Sequence, residues 1–188
     1  MTKYSEITSA RLQLRVRTRY ANEISVLEAL GFRSLTFKLE ARAPFSALSY
    51  LPVLPSMLRA KEVLAFPFPL RLALANVLFV HSDPPSIADC MGLGVKFYTS
   101  FSDGYLLISS TLASHVALQD PSLRSPQSKI IRNPSVRTLN QAWMSHRSRI
   151  AELEVAGKKI GNTTSFADYV AISEREEVDL RHAQSVLP

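Results

Sequence analysis

The sequence predicts an α+β fold, with an antiparallel sheet of about five strands and helices packed on one face. Three observations lead there. Apolar and polar residues alternate with period two at Leu35, Phe37 and Leu39, and again at Val95, Phe97, Thr99 and Phe101. Asp103-Gly104 stands between two β-rich runs, Val95–Phe101 and Tyr105–Leu112, as a hairpin turn does. Val136, Leu139, Trp143, His146, Ile150 and Leu153 step by three and four, which is helical spacing.

Taken in chain order, residues 11–20 (RLQLRVRTRY) set Leu12, Leu14 and Val16 against Arg11, Gln13, Arg15, Arg17 and Arg19. That alternation predicts a half-buried strand presenting four arginines on one face, over about 27 Å at roughly 3.3 Å per residue. Asn22 reads as an N-cap, Ile24, Leu27 and Leu30 as one helical stripe, and Gly31 as a left-handed stop. A strand over 34–40 follows. Pro44, Pro52, Pro55, Pro67 and Pro69 make 44–69 an irregular apolar wrap, with room for one short helix at Ser56–Val63. A third strand is expected at about Leu70–His81, closed by the turn Ser82-Asp83-Pro84-Pro85.

The Asp-Gly pair suits a type I′ turn, in which both central residues take positive φ. Residues 113–133 read as a long Pro/Ser-rich connection. Asn133-Pro134 then predicts an N-cap and first helical position for a helix over 134–156, which Gly157 ends. Ser165 and Asp168 form a capping-box pair opening a last, acidic helix. The expected organisation is one α+β domain over 1–157, with a linker and acidic helix at 158–188 lying on it. In element order this outline resembles helix-grip folds, in which a long C-terminal helix covers a curved sheet. That resemblance implies a ligand cavity between helix and sheet.

Composition narrows the function classes. A chain of 188 residues, 46% hydrophobic and 20% charged, buries about 70% of its extended surface and needs no disulfide or metal to hold a core. The single cysteine, Cys90, forms no internal disulfide, and Met1-Thr-Lys-Tyr-Ser-Glu has no apolar leader region. The expected location is cytoplasmic. Val63–Val80 is apolar, but Pro67, Pro69, Arg71 and Asn76 suit a turn and buried strand better than a transmembrane span. The net charge of +6 is uneven. Residues 1–60 hold nine basic and four acidic side chains, and 121–159 hold eight and two, while 160–188 hold two and five. A basic body of this kind suits an anionic partner, or an acidic helix of its own chain.

Motifs for chemistry are sparse. His81, His115, His146 and His182 show no metal-ligand spacing, and His81 with Asp83 has no second pair to complete a zinc site. Gly92-Leu93-Gly94 lacks the third glycine of a dinucleotide fingerprint and precedes a strand. No catalytic residue, metal site or cofactor is therefore expected. Cys90 reads as a buried apolar cysteine. His146 lies on the apolar stripe beside Trp143, where it is either a core histidine or, with Trp143, part of a ligand pocket. The row Arg11, Arg15, Arg17 and Arg19 is either a solvated or internally paired face or an anion-binding surface.

Three functions follow in order of expectation. The first is a non-catalytic binding or interaction module meeting a protein partner or an anionic surface. The second is a small-molecule binder or enzyme with a cavity between the sheet and the 134–156 helix. The third is an anion or nucleic-acid surface binder acting through the Arg11–Arg19 strand.

Overall fold

The computed structural model describes residues 4–40, 75–91, 94–111 and 129–186. The irregular segment expected at 44–69, its short helix, and most of the 113–133 connection lie outside these residues. The element order is β1 (Tyr4–Glu6), α1 (Ala10–Arg19), α2 (Ala21–Ala29), β2 (Arg33–Glu40), β3 (Ala75–Ser82), β4 (Pro85–Met91), β5 (Gly94–Ser100), β6 (Leu106–Ser110), β7 (Ile130–Arg132), α3 (Leu139–Val155) and α4 (Phe166–Val186). An α+β fold is what these elements make.

Among the described residues the strands form one seven-stranded sheet in the order β1-β2-β3-β4-β5-β6-β7. This corrects the expected sheet of about five antiparallel strands. The short β1 and β7 add an edge on each side, and β4 follows β3 directly after the turn at Asp83-Pro84. The pairing of β6 with β7 is parallel, Leu106 opposite Ile130, whereas every other neighbouring pair is antiparallel. A parallel neighbour needs a crossover of a dozen or more residues, and residues 111–129 supply that length.

The expected strand at 11–20 is helix α1. Leu12 and Val16 are buried and lie four apart, and Tyr20 continues their line as the next buried residue. Leu14, which completes the alternating pattern, is 66% exposed. Both periods fit this short segment, and burial against the sheet selects the helical one, aided by the helix propensity of arginine, leucine and glutamine. Asn22 lies within α2, which begins directly after Tyr20, so it does not cap. Gly31 (φ 91°) and Gly157 (φ 86°) end α2 and α3 as expected. In each case two backbone N–H groups return to the last turn, Gly31 and Phe32 to Glu28 and Leu27, and Gly157 and Lys158 to Glu154 and Leu153.

The 103–104 hairpin is present, with a different turn. Only Gly104 of the pair takes positive φ (83°). The Gly104 N–H donates to Phe101 O at 2.9 Å, and the Phe101 N–H to Tyr105 O at 2.8 Å, which makes a three-residue loop with glycine in the left-handed position. α3 starts at Leu139, capped by Thr138, whose hydroxyl accepts from the Gln141 N–H at 3.3 Å. Asn133, expected as that cap, is instead a buried side chain. The capping box at α4 is formed, because the Asp168 N–H donates to Ser165 Oγ and the Ser165 N–H to Asp168 Oδ2.

Helices cover both faces of the sheet, not one. On one face Leu12, Val16, Leu27, Ala142 and Trp143 pack with Phe37, Val77, Phe79, Ala88, Cys90, Val95 and Phe97. On the other, Tyr169 and Ile172 of α4 pack with Leu78, Ile87, Tyr98, Leu106 and Ile108. The cover on both sides explains why β4 and β5 are each buried at five successive residues, with no exposed parity.

Candidate functional site

Three groups of chemistry-bearing side chains stand out: a polar chain through His146, a charged array beneath α4, and the arginines of α1. The first lies between α3 and the sheet. His146 is fully buried (0% exposed). Its Nε2 lies 2.9 Å from Thr99 Oγ1 and its Nδ1 2.8 Å from Ser109 Oγ. Thr99 continues to Ser86 at 2.7 Å, and Asn133 Nδ2 donates to Ser109 Oγ at 2.9 Å.

One direction of donation satisfies every member of this chain. Asn133 donates to Ser109, Ser109 to His146 Nδ1, His146 Nε2–H to Thr99, and Thr99 to Ser86. This arrangement holds a neutral imidazole. Burial pushes the His146 pKa from 6.5 down to about 3, in agreement. Protonation would force Ser109 to accept from both His146 and Asn133, leaving its own hydroxyl proton without that partner.

Trp143 lies on the same side of α3. Its ring stacks on His146 at 5.7 Å and meets Phe97 at 5.3 Å, His81 at 5.0 Å and Phe32 at 4.7 Å. The structure thus brings Trp143 and His146 together within packed aromatic surroundings. The Ser109–His146 spacing matches that of a nucleophile and its base. The opposite imidazole nitrogen meets a threonine hydroxyl, however, where a catalytic base is oriented by a carboxylate.

The second group is a charged array that sequence reasoning did not single out. Lys38 of β2 (0% exposed) and Asp89 of β4 (1%) pair at 2.9 Å. Lys38 also donates to the Tyr169 hydroxyl, and that hydroxyl donates to Asp89 Oδ2 at 2.8 Å. The ammonium sits over the Tyr169 ring at 4.0 Å and the Tyr4 ring at 4.8 Å. Further along α4, Glu176 accepts from Lys96 at 2.9 Å, Arg132 at 3.1 Å and the Tyr98 hydroxyl at 3.0 Å. Arg132 reaches Asp179 as well, at 3.0 Å.

Burial alone would raise the Glu176 pKa, but the charges and hydrogen bonds of Lys96 and Arg132 hold it down to about 2. Burial and the charge of Asp89 push the Tyr169 hydroxyl up, and burial with Glu176 does the same to Tyr98. Among the described residues, Asp89 Oδ1, Arg132 Nε and Asp179 Oδ1 are buried without a hydrogen-bond partner. The signal in sequence was faint. Lys96 and Tyr98 share one parity of β5, and Tyr169, Ser173 and Glu176 fall at helical spacing, but their pairing links residues up to 131 positions apart.

The third group is on α1. Arg11, Arg15, Arg17 and Arg19 are all exposed. As helix residues they span about 12 Å at 1.5 Å per residue, less than half the length expected of a strand. Arg11, Arg15 and Arg19 follow one another at intervals of four, and Arg17 lies on the other flank with its guanidinium 5.3 Å from the Phe37 ring centre. The acidic α4 packs across the opposite sheet face and pairs with Lys96 and Arg132.

Of the remaining candidates, His81 Nδ1 accepts from the Asp83 backbone N–H at 3.2 Å. Cys90 is buried, and burial together with the charge of Asp89 pushes its thiol pKa far up. Among the described residues no three His, Cys, Asp or Glu side chains converge as metal ligands, and no helix is long and apolar enough to cross a membrane. Comparison with protein-family models, curated proteins and solved structures found no match to this chain.

Proposed function

We propose that the protein is a non-catalytic binding module and that its contact surface is the outward face of α1, which meets a polyanionic partner. The observation that carries this reading is the charge on that helix. Arg11, Arg15, Arg17 and Arg19 are exposed within ten residues that contain no acidic side chain. Guanidinium groups this close concentrate a positive field and suit forked hydrogen bonding to phosphate, sulfate or carboxylate groups. Of the two readings open for these arginines, this proposal takes the anion-binding one, on a helix in place of a strand.

The other two groups fit a scaffold better than a reaction centre. His146 spends both ring nitrogens on hydroxyl partners that tie α3 to β5 and β6. The array beneath α4 pairs each cation with a carboxylate of the same chain.

Chromatography on immobilised heparin tests the proposal. The wild-type chain is expected to be retained and to elute with salt, and Arg11→Glu with Arg15→Glu to flow through or elute far earlier. Far-ultraviolet dichroism confirms that the variant is folded. A folded variant eluting at the wild-type salt concentration overturns the reading.

A further inference from the structure

Resting on the reading that α1 is the contact surface, we infer that its partner is the headgroup layer of an acidic lipid bilayer. The residue that decides this is Leu14. It lies on the side of α1 opposite the buried Leu12 and Val16, and at 66% exposed it is the one large hydrophobic residue that this helix turns to solvent. Along the helix Arg11 and Arg15 lie on one flank of Leu14 and Arg17 on the other, so the leucine stands between basic positions.

A bilayer interface accommodates both features at once. Phosphate and carboxylate headgroups meet the arginines, and the acyl boundary just below takes the leucine. A nucleic-acid backbone answers only the charge. A leucine in the middle of the patch would strip water from the phosphates without offering them a hydrogen bond. Proteins that grip single strands also present aromatic rings for bases to stack on. The aromatic side chain at this helix is Tyr20, which is buried and donates its hydroxyl to Ala75 O at 3.2 Å. The remainder of the outward face is short and polar, with Thr18 bonded back to Leu14 O at 3.0 Å. A basic helix face with one apolar side chain among its arginines describes a peripheral, reversible lipid contact.

Co-sedimentation with vesicles separates this inference from the reading beneath it. The full chain is mixed with phosphatidylcholine vesicles, with and without ~30% phosphatidylserine, at ~0.1 M and ~0.5 M salt. Wild type is expected in the pellet only with phosphatidylserine and low salt. Arg11→Gln with Arg15→Gln should weaken this binding about 30-fold, and Leu14→Ser about tenfold. Because heparin has no acyl layer, Leu14→Ser should elute from heparin with the wild type, and that coincidence doubles as its folding control.

Arginine-dependent retention on heparin without vesicle binding overturns the lipid inference and leaves the anionic contact standing, as does vesicle binding indifferent to Leu14→Ser. In either case a nucleic acid becomes the partner to test. Absence of both heparin retention and vesicle binding in the wild type removes the two together.

Discussion

Glutamine in place of His146 should flatten the acid side of the protein's stability curve. The native pKa of about 3 lies below the ordinary 6.5 because the imidazole is fully buried. The unfolded chain therefore takes up a proton that the folded chain refuses. Full stability is present above pH 6.5 and is lost as the pH falls from there towards 3. With one proton at stake the slope is about 1.36 kcal/mol per pH unit, so moving from pH 7 to pH 5 costs about 2 kcal/mol.

Glu176 acts in the same direction but in a lower window. Its carboxylate stabilises the fold above its unfolded pKa of about 4.5, and the benefit is lost as the pH falls towards 2. Between pH 7 and pH 5 it contributes only about 0.2 kcal/mol. The two groups are thus separated by choosing that interval. Glutamine keeps one donor and one acceptor for Thr99 and Ser109 and does not titrate. Urea unfolding at both pH values gives the two free energies. Wild type should lose about 2 kcal/mol more than His146→Gln on acidification. If both proteins lose the same amount, the neutral, one-directional hydrogen-bond chain is wrong.

Two further perturbations test the scaffold. Lys38→Met should cost about 3–5 kcal/mol by stranding the buried Asp89 carboxylate, and adding Asp89→Leu should restore at least half of it. Strictly additive losses in urea unfolding would mean that the pair is not coupled. Gly157→Ala should lower stability by about 1–2 kcal/mol through left-handed strain alone, since an added Cβ meets nothing within 4 Å. Gly157→Asn should lose less, and equal melting temperatures for Gly157→Ala and wild type would contradict the φ of 86°.

The parts of the fold that could be read from sequence are those set by neighbouring residues. β2, the β5–β6 hairpin, the apolar stripe of α3, the glycine stops and the Ser165–Asp168 cap all follow from spacings of two to four. Ambiguity entered where two periods share residues. Leu12 and Val16 belong both to an alternating run and to an i, i+4 helix face, and the tie is broken only by the sheet beneath them. β4 is not legible from spacing alone, because it begins at Pro85, inside the run Ser82-Asp83-Pro84-Pro85 that reads as a turn, and carries the charged Asp89 near its centre. Asp89 is tolerated there because Lys38 and Tyr169 arrive from distant parts of the chain. Cover on the second face likewise depends on α4, whose acidic residues gave no sign that two of them would be buried. Of the candidate residues, the adjacency of Trp143 and His146 follows from helical spacing, whereas the hydroxyl partners of His146 lie on strands 37 and 47 residues earlier.

The charged underside of α4 also fixes where that helix can sit. A purely greasy helix on a greasy sheet can slide by a turn at modest cost, exchanging one set of methyl contacts for another. For α4 a slip of one turn, about 5.4 Å, would pull Glu176 from Lys96 and Arg132 and Asp179 from Arg132. Glu176 and Asp179 are themselves about one turn apart, so after such a slip at most one could meet the cations and the other would be a lone carboxylate. The ion pairs work as indexing pegs, admitting a single seat along the sheet.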